Sequence, residues 1–270
     1  MNCVVCNTEM MVVPGEEDRI NHPTCPMFTE PFDEDPLARK LRDDLMTIIL
    51  DAANNDPRTL QKSLGPSDLG TPCDRKIAYL LTETPAVNTR TDPWPATVGQ
   101  AIHMWLEKTF RDQAGWTTER KLQIGEFISG TSDLYHDEMV IDHKSAGPDV
   151  MRKIPKDGPP PEYVVQVQLY GYGYRLAGMP VKKVALAFYP RSGWLSNMYV
   201  WVGDYSEEVA LAALDRMYRV AASVLDLDIA SNPHRFQQIP AVAYQCGFCP
   251  FYRPDMGPDQ SADNFGCPGS

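Results

Sequence analysis

The order of elements in the sequence predicts an α+β fold, an α/β chain with a mixed sheet covered by helices, and three observations carry that expectation. Apolar residues recur at helical spacing in Leu37, Leu41, Leu45, Ile48 and Ala52, and again in Val98, Ile102 and Leu106. Between residues 120 and 145 the pattern changes to short runs of Ile, Leu, Tyr and Val cut by turn residues, as strands require. After Pro161 a helical segment, a strand pair and a last helix follow in turn.

Residues 1–30 read as a small unit with its own ligands, ended by Pro26, Pro31 and the acidic run Asp33-Glu34-Asp35. Residues 31–63 read as a linker and one helix: Asp35 caps it, Pro36 takes its first position, and Asn54-Asn55-Asp56-Pro57 stops it. Residues 64–270 form the main domain. Gly65-Pro66-Ser67 leads into a short helix from Cys73 to Leu81. The next helix, Thr97 to Gln113, is expected to bury Val98, Ile102, Trp105, Leu106 and Phe110, leaving Gly99, His103 and Glu107 on its remaining face. Strands are expected near 120–128, 130–135 and 139–145. The segment from Gly147 to Pro161 is rich in proline, glycine and charge and reads as a mobile loop. Pro161-Glu162 opens a helix that closes at Gly178. Val181–Tyr189 and Trp194–Val202 then make a second hairpin across Pro190-Arg191-Ser192-Gly193, and a helix from Ser206 to about Ile229 precedes a proline-rich tail.

A formal net charge of -11 excludes nucleic-acid affinity carried by the whole surface, because neutralising phosphates needs Lys and Arg. It leaves room for a local track, and basic pairs occur at Arg75-Lys76, Arg120-Lys121, Arg152-Lys153 and Lys182-Lys183. The amino terminus lacks the basic start and apolar run of a secretory signal, and no stretch approaches the ~18 apolar residues of a membrane span. The expectation is a soluble, cytoplasmic protein of a bacterium or a virus-infected bacterial host, with no membrane partner.

Seven cysteines without an export signal point to thiolate ligation rather than disulfides. Cys3, Cys6 and Cys25 cluster with His22, while Cys246, Cys249 and Cys267 cluster at the other end and Cys73 stands between. Cys3-x2-Cys6 followed by His22-x2-Cys25 is a tetrahedral Zn2+ pattern, read as a zinc ribbon or knuckle too small to hold a core without its metal. Its partner is DNA, another protein, or nothing beyond its own fold.

The most informative stretch is Gly130-Thr131-Ser132-Asp133 followed by Asp142-His143-Lys144. A turn centred between Asp137 and Glu138 sets Asp133 opposite Asp142, with Cβ atoms about 5 Å apart, and like charges facing each other there destabilise unless a cation sits between them. Lys144 shares the Asp142 face, while Ile141 and Leu134 are expected to point the other way, toward a core. His103, one helix turn before Glu107, can bring an imidazole to a cation already held by carboxylates. Gln166 and Tyr170 lie at i and i+4 on the helix after the loop, and Gln168 and Tyr172 repeat that spacing. The first pair is preferred for the site, as an amide donor and a phenol, because Val165 and Leu169 then form the core stripe.

His103, Gly130-x-x-Asp133, Asp142-x-Lys144 and Gln166-x-x-x-Tyr170, in this order, resemble the RecB-type branch of the PD-(D/E)XK nucleases. One cysteine ahead of these motifs and three behind them resembles its iron-sulfur exonucleases, the CRISPR-associated group and its viral relatives. The resemblance covers roughly residues 64 to 267. It implies a restriction-endonuclease-like core with helices on both faces. It implies that His103, Asp133, Asp142 and the backbone carbonyl of His143 ligate Mg2+ or Mn2+, and that Lys144 orients or helps deprotonate the attacking water, with Gln166 and Tyr170 completing the catalytic set. Cys73, Cys246, Cys249 and Cys267 would by the same resemblance hold a 4Fe-4S cluster, Cys246-Gly247-Phe248-Cys249-Pro250 being ferredoxin-like. Zinc in the same four-thiolate site is the alternative.

The expected function is that of a metal-dependent deoxyribonuclease, an exonuclease acting on single-stranded DNA or duplex ends in recombination, repair or replication, with a recombination or replication protein as a possible partner. Two readings stand beside it: a structure-specific endonuclease of the same fold, and a non-catalytic clamp that binds nucleic acid.

Overall fold

The computed structural model describes residues 11–13, 16–21, 36–55, 64–88, 92–257, 261 and 265–269. The chain divides into two units, Met1–Ala52 and Ala53–Ser270. In the first, β1 (Met11–Val13) pairs antiparallel with β2 (Glu16–Asn21), and α1 runs from Pro36 to Asn54. α1 starts at the proline that fits a first helical position, and its periodic Leu37, Leu41, Leu45 and Ile48 are exposed. Cys3, Cys6, His22 and Cys25, and with them the expected zinc unit, lie outside the described residues.

The second unit begins with α2 (Pro66–Leu69), α3 (Asp74–Leu81) and α4 (Trp94–Phe110). Three strands follow, β3 (Thr117–Gln123), β4 (Ser129–His136) and β5 (Met139–Ala146), and then α5 (Pro148–Asp157) and α6 (Pro161–Leu176). β6 (Lys183–Pro190), β7 (Tyr199–Asp204) and α7 (Glu207–Asp226) complete the regular elements. The sheet order is β3-β4-β5-β6-β7, antiparallel throughout except for the parallel β5–β6 pair. A parallel pair needs a long crossover, and α5 with α6 supplies it. The mixed sheet with the central hairpin in its middle is therefore the one the sequence predicts.

Helices cover both faces. On β5 the ring of His143 stacks on Phe110 of α4 at 6.0 Å, while the next residue, Lys144, bonds to Gln166 of α6 at 2.8 Å. Successive strand residues point to opposite faces, so α4 and α6 lie on opposite sides of the sheet. The larger core is on the α6 side, where Val140, Ala146, Val184, Leu186 and Phe188 meet Leu169, Tyr174 and α7. Val184–Ala187 and Phe188 form a continuous buried run, as expected of a strand covered on both faces. Among the described residues no helix is long and apolar enough to cross a membrane.

Four expectations are corrected. The segment after Gly147 is not a loop but the helix α5: Gly147 takes an extended cap conformation, Pro148 sits in the first turn, and buried Ile154 anchors it. Pro155 lies inside the helix, where it removes the bond to the Met151 carbonyl, and Gly158 at φ 78° closes the helix three residues later. Trp105 is 63% exposed rather than buried, because α4 turns Leu106 and not Trp105 into the protein. Leu134 is buried as expected, but its partner Ile141 is only half-buried, and the larger core lies on the Asp142 face, under α6. The last strand starts at Tyr199, after a 3-10 turn at Leu195–Asn197, later than the hydrophobic run from Trp194 suggests.

α6 is buried nearly all round, including Gln166, Val167, Gln168, Leu169, Tyr170 and Tyr174, so it carries no simple apolar stripe. Its start is pinned by α2. A Cβ at Gly70 would lie 2.4 Å from the Glu162 Cα and 2.5 Å from the Glu162 carbonyl oxygen, which are backbone atoms with nowhere to go. Gly70→Ala is expected to cost about 1–3 kcal/mol through this overpacking. A lowered urea midpoint with an unchanged slope checks it, and an unchanged midpoint would show that α2 and α6 do not approach this closely.

Candidate active site

The β4–β5 turn is built from Asp137 and Glu138, both left-handed at φ 47° and 59°. Two left-handed central residues match the twist of a tight hairpin and so fix its register. The pairs are His136–Met139, Tyr135–Val140 and Leu134–Ile141. Asp133 and Asp142 come next, and there the Asp133 side chain engages the neighbouring strand: its Oδ2 accepts a 2.7 Å hydrogen bond from the His143 amide. Gly130 lets β4 arrive at this position, since a Cβ there would lie 2.8 Å from the Pro66 ring and 3.1 Å from Tyr170.

The other Asp133 oxygen, Oδ1, lies 3.3 Å from Nδ1 of His103 on α4. Asp142 is 2% exposed, and its Oδ2 lies 2.7 Å from Lys144 Nζ. That ammonium also donates to Gln166 Oε1 at 2.8 Å and sits 4.6 Å over the Tyr163 ring. Tyr170, buried one helix turn after Gln166, stands on the same face of α6. Thus α4, the central hairpin and α6 each contribute to one buried polar cluster.

Charge in this cluster is unevenly held. Burial pushes the Asp142 carboxyl up to about 6, against the pull of Lys144 and with help from Asp133. Burial also opposes the ionised form of Asp133, but the bond and charge of His103, with His143, outweigh it and hold Asp133 below the usual carboxylate range. Burial opposes the charged forms of His103 and Lys144 as well; Asp133 outweighs it for the first and Asp142 for the second, so both are raised. The His143 ring goes the other way, down to about 4, because it is buried. Two carboxylates and an imidazole in a buried place, with one carboxyl pushed toward protonation by burial, form a donor set that suits a hard divalent cation.

The structure thus brings His103, Asp133, Asp142, His143, Lys144, Gln166 and Tyr170 together. Gln166 acts here as an acceptor rather than the expected donor. The competing Gln168 is used elsewhere: it donates to the Asp204 carbonyl at 2.9 Å and accepts from the Ser206 amide at 2.8 Å, fastening α6 to the start of α7. Glu107 pairs with Arg111. Sequence reasoning missed Tyr163 and Tyr189, whose hydroxyl lies 3.3 Å from His143 Nδ1. Tyr163 had a signal: positions 163, 166 and 170 share one helix face. Tyr189 had none, since only the parallel β5–β6 register brings it near.

Cys73, Cys246, Cys249 and Cys267 are free thiols that line one cavity, together with Lys76 and Tyr79. Arg75 Nη1 lies 3.7 Å from the Cys267 sulfur. Burial raises the Cys249 thiol, against Lys76. Four thiols beside two cations form a donor set for a soft metal. Among the described residues, no three His, Cys, Asp or Glu side chains are gathered closely enough to hold a metal ion as they stand, so both donor sets would have to draw in around one.

No family model and no curated protein matches the chain. Solved structures with a similar course of the chain include an alkaline exonuclease from Laribacter hongkongensis, 14% identical, covering 66% of this chain and 94% of that one at a TM-score of 0.48. The same exonuclease in complex with dAMP is 15% identical over 67% of this chain and 96% of its own, again at 0.48. A phage related exonuclease from Haemophilus somnus 129PT is 13% identical over 58% and 81%, at 0.43. Likeness of this degree carries no chemistry with it; the side chains of the cluster do.

Proposed function

We propose that this chain is a divalent-cation-dependent deoxyribonuclease of the RecB-like PD-(D/E)XK type that hydrolyses phosphodiester bonds of DNA from an end. The observation that carries the reading is the placement of Lys144, 2.7 Å from Asp142 and 2.8 Å from Gln166, beside an Asp133 tied to both His103 and the next strand. A surface hairpin with a solvated acid and lysine would not bury all of these groups together.

His103, Asp133 and Asp142, with the His143 carbonyl, are the residues to hold Mg2+ or Mn2+. When bound, such a cation lowers the pKa of its water and stabilises charge growing on a phosphate. The chain's own groups do the rest. Lys144 orients the attacking water and offsets charge on the phosphate oxygens, and Gln166 holds the ammonium so that it cannot swing away. His103 keeps Asp133 ionised. The Tyr163 ring keeps bulk water from one side of the ammonium. Cys73, Cys246, Cys249 and Cys267 hold a 4Fe-4S cluster in this reading, with zinc the alternative occupant, and Cys3, Cys6, His22 and Cys25 hold Zn2+.

End-labelled linear and circular single strands, incubated with Mn2+ and resolved on a sequencing gel, test the proposal. A ladder shortening from one end of the linear strand, with circles intact, is expected. Cut circles would replace the exonuclease by an endonuclease. No cleavage of any substrate, with binding retained, would leave only the clamp.

A further inference from the structure

Beside the acidic cluster, on the α4 side of the sheet, lies a cavity of about 460 Å³ lined by Ile102, Trp105, Phe110, Tyr189, Leu195 and Met198 among others. None of its lining residues is charged. The hydroxyl of Thr109 is spent on its own helix, donating to the Trp105 carbonyl at 2.8 Å. The cavity suits a neutral, flat occupant. Its rim is unusually apolar: Trp105 is 63% exposed, and Leu195 and the adjoining Trp194 are 63% and 79% exposed.

The cavity adjoins the cluster through the His143 ring. Phe110 stacks on the His143 ring at 6.0 Å, and the Tyr189 hydroxyl reaches the same ring at 3.3 Å. The His143 amide in turn holds Asp133. A nucleoside flanking a phosphodiester placed at Asp133 would have this wall within reach.

We infer that the cavity is a stacking site for one unpaired nucleobase next to the scissile phosphate, and that Trp105 is its main platform. This makes the substrate a single strand or a frayed end, because a base inside a duplex is stacked and paired and cannot enter. The inference takes its location from the nuclease reading but stands or falls on its own measurement. With a net charge of -11 the surface as a whole does not attract phosphates, and base stacking supplies affinity beside whatever local basic pairs provide.

The test compares the full-length protein with Trp105→Ala and Trp105→Phe, using labelled oligonucleotides that carry either a base or an abasic residue at each of the last few positions from the end. Binding is read by anisotropy with Ca2+, and cleavage with Mn2+. Removing the base at one position is expected to weaken wild-type binding about tenfold, the order of one base stacked on an aromatic ring. Trp105→Ala is expected to bind the intact strand about tenfold more weakly and to ignore the abasic position, with Trp105→Phe restoring most of the loss. An abasic penalty that persists undiminished in Trp105→Ala overturns the inference, as does wild-type binding indifferent to every abasic position. A Trp105→Ala protein unaltered on DNA but shifted in sedimentation would assign the patch to a protein contact instead. If the wild type cleaves nothing yet shows the coupled base effect, the nuclease reading fails and the stacking site stands; cleavage without the coupling gives the converse.

Discussion

Lys144→Ala is expected to lower kcat by about 10²–10³-fold, the effect of removing one placed donor from a developing negative charge. The buried ammonium has two fixed partners, Asp142 Oδ2 at 2.7 Å and Gln166 Oε1 at 2.8 Å, and the Tyr163 ring beneath it. A lysine held this way moves little when substrate arrives, so its contribution is already organised. Alanine also leaves Asp142 without its counter-charge, and breaking one half of a buried pair costs about 3–5 kcal/mol. The second variant, Asp142→Asn, separates stability from chemistry. It is nearly isosteric and keeps an oxygen for Lys144 to donate to beside Gln166, so it should lose less stability than the alanine variant while cleavage falls by a similar factor. The double variant should lose about as much as either single one, because the two residues act as a unit. Single-turnover rates in Mn2+, set beside circular dichroism and DNA binding in Ca2+, measure all three. Turnover within a few fold of wild type by folded Asp142→Asn would remove the assignment.

Much of this site was legible because a hairpin's geometry is local. Once Asp137 and Glu138 form the turn, the position of Asp133 against Asp142 follows by counting, and the observed pairs keep that register. The helix face shared by Gln166 and Tyr170 follows in the same way. What escaped depends on distant parts of the chain. Which side of the sheet holds the main core is decided by α6, which hides polar Gln166 and Gln168 by giving each an internal partner, so no amphipathic stripe records its burial. Trp105 reads as core by period, yet α4 covers only part of its sheet face and leaves the ring at the rim of a cavity. α5 was hidden by Pro148, which is tolerated in a first turn, and by Pro155, which the helix accepts inside its short length at the cost of one backbone bond.

Cys73→Ser or Cys246→Ser is expected to lower the melting temperature by about 8–16 °C. A metal present at a thousand times its dissociation constant stabilises by about 4 kcal/mol, and each kcal/mol shifts a domain of this size by about 2–4 °C. The segment at stake is the irregular tail. It is tied to α3 by Arg75, which donates to the Ile239 and Gln237 carbonyls at 3.0 Å each, and to the loop before α4 by the Val87 amide on the Pro250 carbonyl at 2.8 Å. Asn88 and the stacking of Phe236 and Phe251 on Tyr79 add to these ties, and the four sulfurs around one cavity are where a metal would add a further cross-link to a segment with only short 3-10 turns. Loosening the tail should also reach the candidate active site. The Tyr244 hydroxyl holds Glu162 at 2.5 Å, and the next residue, Tyr163, is the floor beneath Lys144. The cysteine variants should therefore lose turnover in step with the tail's protection from proteolysis, at temperatures where the sheet is still folded. Calorimetry, limited proteolysis and analysis for iron, sulfide and zinc on anaerobically purified protein decide the matter. A brown sample with about four irons identifies the cluster. Zinc without iron in this site replaces it. A metal-free wild type that melts with the cysteine variants would show that the cavity holds thiols and nothing more.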